Sequence, residues 1–592
     1  MDTLPPQSSF LNLLKNRINL RQIPFSERGS RILIFTNENR IIFRLAERWI
    51  KRDQILSAYR RREPIIDNWQ FLNKDGQPLS FTTTTYPHRI DFHTEIGTFT
   101  FVFEDIETVL ILLPRGEFGI RFDANADQAI SDSRGATLHL MGNIRRNIAF
   151  TTNAKIVNNH NVSSGATTQR IELELNTQEC DSLLLNITPR LGFNRYIPNC
   201  DDVLKTAEQR WHDWFASVPQ VLDIYRETYY YAWWIMRNGL ISTRFYTTRE
   251  AMTPSKMYYV GVWQWDAYFH ALAYRYVDKR LAQDQIRVVL DHQLSDGMFP
   301  DAIHDEGVVT YLTTPVDAAV TKPPLAAWAA WKLYKYDRDV EFLREIYEPL
   351  VRWNAWWFEK NDVDGDGLCE YQHPFSSGLD DNPLWDDGMP VTAPDLNTYL
   401  VLQQESLACI ARTLGKRQEA EEWDQRAGQL AQKMISKMWN KQTGFFDALK
   451  NGKIIDTQTP FGLFPLITGR MPEHILERLV KQLTNRRKFW SRYPVCTVAM
   501  DDPKFNPERM WRGPTWVNIN YLLIEGLRRN GYNEIAKELR TRTLSMVARL
   551  DDIYEYYHPK TGENPPNAAP IFGWSAALFI DLAIQATFDS SE

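Results

Sequence analysis

Cysteine is scarce in this chain and never paired. Five of them, Cys180, Cys200, Cys369, Cys409 and Cys496, are spread over 592 residues without a CxxC motif. That spacing excludes a disulfide framework and a cysteine zinc site. No uninterrupted apolar run reaches membrane-spanning length. Met1 to Leu20 also lacks a basic start followed by an apolar run of signal length, so a cytoplasmic, reduced protein without a membrane partner is expected. Asn161-Val162-Ser163 and Asn186-Ile187-Thr188 then read as chance matches to a glycosylation acceptor. Excess positive charge is missing too. With 68 Lys and Arg against 74 Asp and Glu, the net charge is −6, and no nucleic-acid partner is expected. The chain has no Walker loop, Gly-x-Gly-x-x-Gly, His-Glu-x-x-His or Gly-x-Ser-x-Gly. Nucleotide, zinc-protease and serine-hydrolase chemistry are thereby disfavoured.

Tryptophan is plentiful but unevenly placed. Only Trp49 and Trp69 lie in the first 200 residues, and 18 others follow. The early segment reads as strands. Arg31–Phe35, Thr98–Phe103 and Thr108–Leu113 are short β-branched or aromatic runs, and Ile171–Leu175 alternates strictly. An antiparallel β-sandwich over residues 1–200 is expected. After Cys200 the period changes. Asp201-Asp202 offers an N-cap for a linker helix within 201–220. Stripes at Phe342, Leu343, Ile346, Leu350, Trp353, Trp357 and at Leu396, Leu400, Leu407, Ile410, Leu414 then mark amphipathic helices. A short β-interruption near Gly444 to Ile455 is compatible with the loop composition. Eleven or twelve helical segments without strands between them must pack on one another, and an α/α toroid over 221–592 is the expected closed form.

Two carboxylate contexts stand out. Ser376-Ser377-Gly378-Leu379-Asp380-Asp381-Asn382-Pro383 sets adjacent acids in a turn. It is either a solvated turn or a pair whose repulsion raises one pKa, as a general acid needs. Glu555 is flanked by Tyr554, Tyr556 and Tyr557. One acid to protonate the leaving oxygen and one base to prepare a water are what sugar-acetal hydrolysis requires. In Val262-Trp263-Gln264-Trp265-Asp266 the Asp is suited to grip sugar hydroxyls while rings stack on the pyranose, or else simply starts a helix. In Met510-Trp511-Arg512-Gly513-Pro514-Thr515-Trp516, Gly-Pro is good start chemistry for a helix and Arg512 is the functional candidate. Asn361-Asp362-Val363-Asp364-Gly365-Asp366-Gly367 resembles the opening of a calcium loop. His373 stands where the bidentate Glu belongs, Glu370 is a possible substitute, and a Gly-Asp turn is the alternative.

Four segments in order resemble glycoside hydrolase family 63, with a weaker likeness to trehalases, over about residues 225–585. They are Trp265-Asp266, Ser377 to Pro383, Trp511 to Trp516, and Glu555-Tyr556-Tyr557 through Gly562-Glu563; Phe572-Gly573-Trp574 fits as well. The resemblance implies an (α/α)6 barrel and inverting hydrolysis of α-linked sugars; no cofactor is expected beyond calcium at Asp362, Asp364 and Asp366 should that loop bind it. Asp380 would be the general acid and Glu555 the general base. Asp266 and Arg512 would bind the sugar beside Trp263, Trp265, Asp381, Trp511, Trp516 and Trp574. Where family members often carry Thr-Gln-Pro-Pro, this chain has Thr321-Lys322-Pro323-Pro324. Lys322 there suits an acidic aglycone such as glycerate, or points to solvent. The expected activity is an exo-acting α-glucosidase on small glycosides. The alternatives are a glucosylglycerate or mannosylglycerate hydrolase, or a carbohydrate-binding toroid without catalysis.

Overall fold

The computed structural model describes residues 9–47, 63–140, 146–165, 167–190 and 192–589; Trp49 lies outside them. It forms two compact units. The first holds the described residues up to Val218 with Arg237–Ser242 and Lys256–Val260, and the second holds Pro219–Met236, Thr243–Ser255 and the described residues from Gly261 onward.

In the first unit, helix α1 (Ser9–Leu13) is followed by strands in two wholly antiparallel sheets. One runs Ile32–Asn37, Arg40–Leu45, Ile66–Leu72, Gly116–Asn125, Thr168–Thr177, Lys155–Gly165. The other runs Thr82–Thr85, Arg89–Thr94, Gly97–Phe103, Thr108–Leu112, Ser182–Thr188, Arg146–Thr152, Gly135–Leu140, Gln128–Asp132. Strand alternation sends Phe71 and Phe122 of the first sheet against Phe99 and Phe150 of the second, with Phe71 and Phe99 stacked at 3.8 Å. These rings fill the space between the sheets, as in a sandwich.

Helix α2 (Cys200–Ala216) covers part of the second sheet. Its Cys200, Val203 and Ala207 pack on Val102, Leu110 and Leu184. It therefore belongs to the first unit rather than standing apart as a linker. Its N-cap is Asn199, whose side chain accepts from the Asp201 and Asp202 amides, while those two acids occupy the first turn.

The second unit is helical: α3 (Arg226–Asn238, through Met236), α4 (Gln264–Tyr274), α5 (Lys279–Leu290), α6 (Ala326–Asp337), α7 (Val340–Lys360), α8 (Pro394–Thr413), α9 (Arg417–Met438), α10 (Glu473–Leu483), α11 (Val517–Arg529), α12 (Asn533–Ala548) and α13 (Gly573–Phe588). Burial sorts them into two kinds. In α4, α8, α11 and α13 nearly every residue is buried, the mark of helices enclosed all round. In α9 only Ala420, Trp423, Ala427, Leu430, Ala431, Met434 and Met438 are, one face at three and four spacing. α5, α6, α7 and α12 lie between these extremes, and α3, buried in all but its first two residues, directly precedes α4. Neighbours run α4 to α6, α6 to α8, α8 to the 3-10 segment Pro460–Thr468, that segment to α11, α11 to α13, and α13 back to α4. Two-residue strand pairs decorate the loops, including Phe445–Phe446 and Leu449–Lys450. No helix among the described residues is long and apolar enough to cross a membrane.

Candidate active site

The singled-out residues converge at the N-terminal ends of the enclosed helices. Trp263 is the N-cap of α4 and Asp266 lies in its first turn. Lys322 is on the approach to α6, and Asp380 and Asp381 are on the approach to α8. Trp516 is the N-cap of α11, and Trp574 is the second residue of α13. Glu555 sits in the loop between α12 and α13. Its amide donates to Ala569 O at 2.8 Å. Paired backbone bonds between Thr515 and Tyr557 tie that loop to the segment before α11.

The Ser-Gly-Leu-Asp-Asp-Asn-Pro turn explains itself residue by residue. Ser377 Oγ accepts from Leu379 N at 3.0 Å, bending the chain. Gly378 has φ +71°, and a Cβ there would meet the Trp265 ring at 2.3 Å, so only glycine fits. Asp381 accepts from Trp511 N and from Arg509 Nε, each at 2.9 Å. Asn382 caps the short 3-10 turn begun by Pro383 and donates to Trp511 O at 2.9 Å. Everything around Asp380 is thus fixed. Asp380 itself keeps Oδ1 without a hydrogen bond among the described residues, and 34% of its side chain stays exposed.

Charge is concentrated and buried. Burial pushes the Asp380 carboxyl up to about 7, against the pull of Lys322 and with help from Asp301 and Asp381. Burial and the nearby Glu555 raise Asp266 well above the usual carboxylate range, although Lys322 opposes them. Asp266 Oδ1 has no hydrogen bond among the described residues. Lys322 does not reach solvent: it is 4% exposed. Its ammonium lies 2.9 Å from Asp301 and 4.0 Å from Asp380 Oδ1, and donates to Phe375 O at 2.6 Å. Burial opposes that charge, yet Asp301, Asp380 and Asp266 hold it above the usual lysine range. Glu555 is 3% exposed, with Oε2 accepting from Ala569 N at 3.3 Å. Asp266 is thus coupled electrostatically to Glu555 and to Lys322, and Lys322 in turn to Asp380.

Arg512 pairs with Asp386, one contact being 3.2 Å, and lies 3.9 Å from Asp381; its buried Nε has no hydrogen bond among the described residues. The tryptophans behave differently from expected sugar platforms. Trp511 and Trp516 stack on each other at 3.6 Å, Trp516 meets Trp574 at 5.5 Å, and Trp574 meets Trp265 at 5.1 Å. Trp516 is fully covered and Trp265, Trp511 and Trp574 nearly so. Packed on one another in this way, these four rings lock the loops together. Trp263, half-buried and edge-on to His304, keeps accessible ring. Two residues of the site, Asp301 and Asp386, lie outside the quoted motifs, and only the fold brings them in; Gln264, within the Val262 to Asp266 motif, has Oε1 accepting from Lys322 N at 2.9 Å.

In the acidic loop, Asp362, Asp364 and Glu370 bring ligand atoms within 4.8 Å of one another. Asp366 is instead paired with Lys437 at 2.7 Å. His373 caps its own turn, accepting from Phe375 N at 3.1 Å, and is not among the convergent acids.

A raised acid and a second buried carboxylate are the groups that glycoside hydrolysis uses. Residues 259–575 match the model described as mannosylglycerate hydrolase MGH1-like glycoside hydrolase domain, and the chain belongs to that family, within glycoside hydrolase family 63. It is 26% identical over 407 residues to the mannosylglycerate hydrolase of Thermus thermophilus, spanning 56% of this chain and 96% of that one. A crystal structure of the family 63 mannosylglycerate hydrolase from Thermus thermophilus in complex with glucose superposes with TM-score 0.52 at 26% identity, covering 60% of this chain and 99% of the other. A bacterial glucoamylase complexed with acarbose reaches TM-score 0.58 across 95% of this chain and 92% of its own, at 10% identity, a likeness of fold.

Proposed function

We propose that this enzyme removes a sugar from the non-reducing end of a small α-linked glycerate conjugate, mannosylglycerate or glucosylglycerate, with inversion at the anomeric carbon. The closed circuit of neighbours α4, α6, α8, Pro460–Thr468, α11, α13 and back to α4, with α5, α7, α9, α10 and α12 each following one of the first five, supports reading the second unit as an (α/α)6 toroid with its site at one mouth. The observation that carries the mechanism is the Asp380 carboxyl, held near 7 with Oδ1 unbonded and part of the side chain open. At neutral pH it retains a proton and has somewhere to deliver it, the glycosidic oxygen. Glu555, on a separate loop, is the base that takes a proton from water attacking the opposite face. Asp266, with a free acceptor, binds sugar hydroxyls. Arg512 and Asp381 hold the wall beside them, and Lys322 orients Asp380.

A glycerate conjugate is favoured over a neutral α-glucoside by the similarity to mannosylglycerate hydrolases across nearly their whole length. The test is hydrolysis of mannosylglycerate and glucosylglycerate beside neutral α-disaccharides, followed by proton NMR from the first turnovers. The β-anomer should appear first. An α-anomer rules out inversion. Preference for the neutral disaccharides returns the α-glucosidase reading, and no turnover of any of them leaves a binding toroid.

A further inference from the structure

A cavity of about 420 Å³ opens in the second unit away from the carboxylates, within the ~300–1,000 Å³ range of small-molecule sites. Its charged wall comes from the second halves of α6, α8 and α11, namely Lys332 and Lys335, Glu405, and Arg528 and Arg529, while Trp328 and Trp331 enter from the first half of α6. The active-site residues lie at the N-terminal ends of those helices. Lys335 is nine positions beyond the start of α6, roughly 14 Å along the axis at 1.5 Å per residue.

Four cations face this cavity against two carboxylates, Glu405 and Glu525. Both carboxylates are already taken. Glu525 pairs with Lys332, and Glu405 with Arg529 at 2.7 Å and Arg470 at 2.5 Å. Arg528 turns to Asp589 and Gln585, each at 2.7 Å. Lys335, an exposed side chain on the cavity wall, has no hydrogen bond or ion pair among the described residues, and partial desolvation with the Arg275 and Arg529 charges holds its amine below the usual lysine range. Beside it, Trp328 and Trp331 supply apolar and aromatic wall. Unpaired positive charge next to ring surface, in a recess of this size, is suited to a ligand with a compact body and one anionic group.

We propose that this cavity is a second binding site for a small organic anion, a sugar or polyol carrying one phosphate or carboxylate group, with Lys335 as its principal charge partner. The competing explanation is that these cations only complement the helix C-termini.

Calorimetric titration of the full chain with glucose 6-phosphate, gluconate, inorganic phosphate and glucose separates the two. At least one of the sugar-derived anions should bind once per chain, and glucose should not bind at this site. The two anions distinguish phosphate from carboxylate recognition. Lys335→Gln should weaken binding at least about ten-fold, the factor worth ~1.4 kcal/mol. Asp380→Asn should leave it unchanged, which separates this site from the catalytic one. Arg528→Gln serves as a second variant should Lys335→Gln fold poorly. The proposal is overturned if neither sugar-derived anion binds, if both cavity variants bind as wild type, or if binding disappears in Asp380→Asn. A lower melting temperature in Lys335→Gln without any ligand response would leave helix-end complementation as the explanation.

Discussion

At the scale of single residues, the enzyme's pH behaviour should follow Asp380. A general acid must hold its proton, so kcat/KM should fall as pH rises through about 7, the value to which burial lifts this carboxyl. Lys322 pulls that value down. Lys322→Gln should therefore let Asp380 hold its proton to higher pH, moving the alkaline limb upward, while leaving Asp301 buried without its cation. A limb that stays put or moves down would separate Lys322 from Asp380. Asp380→Asn and Glu555→Gln should each cost about 10²–10⁴-fold or more in kcat with unchanged circular dichroism. Near-normal turnover in either would reassign the roles. Lys322 also shows the limit of reading residues alone. A lysine before two prolines looked equally like an aglycone contact and a solvated loop residue. The fold instead buries it against Asp301 and Asp380.

At the scale of elements, the site depends on loops whose shape is set by a few exacting positions. Gly378 combines a left-handed backbone with a Trp265 ring where its Cβ would go. Gly378→Ala should therefore push the turn off Trp265, lowering kcat and thermal stability together, and an Ala variant with wild-type kinetics would show that the turn can yield. Elements with a clean period were legible in the sequence: the alternating Ile171–Leu175 lies within strand Thr168–Thr177, and the Phe342 to Trp357 stripe within α7. The segment Pro460–Thr468 was not. It takes the place of a helix between α8 and α11, but Pro465 inside it lacks the N–H of an α-helical ladder, and the segment winds as 3-10 instead. The Ser376 to Pro383 turn was legible because Ser, Gly, Asn and Pro there each have a local task. Asp301 and Asp386 were illegible because their partners, Lys322 and Arg512, are distant in sequence. The tryptophans announced the site's neighbourhood but not their use, since composition cannot tell a covered ring from an open one.

At the scale of the whole molecule, each unit has its own core. The first is organised around aromatic rings between two sheets: Trp69 is fully covered, stacked on Phe122 at 4.7 Å and tilted against Phe43 at 5.7 Å. The second is organised around helices enclosed on all sides. Cores built separately should melt separately, so differential scanning calorimetry should resolve more than one transition. Trp69→Ala removes a large buried ring and should cost the first unit about 3–5 kcal/mol. That loss should appear in one transition while the other, and kcat measured below both, stay near wild type. A single transition whose calorimetric and van't Hoff enthalpies agree, or a loss shared by both transitions, would mean that the sandwich and the helical unit fold as one cooperative body. In that case the sandwich would also carry part of the catalytic unit's stability.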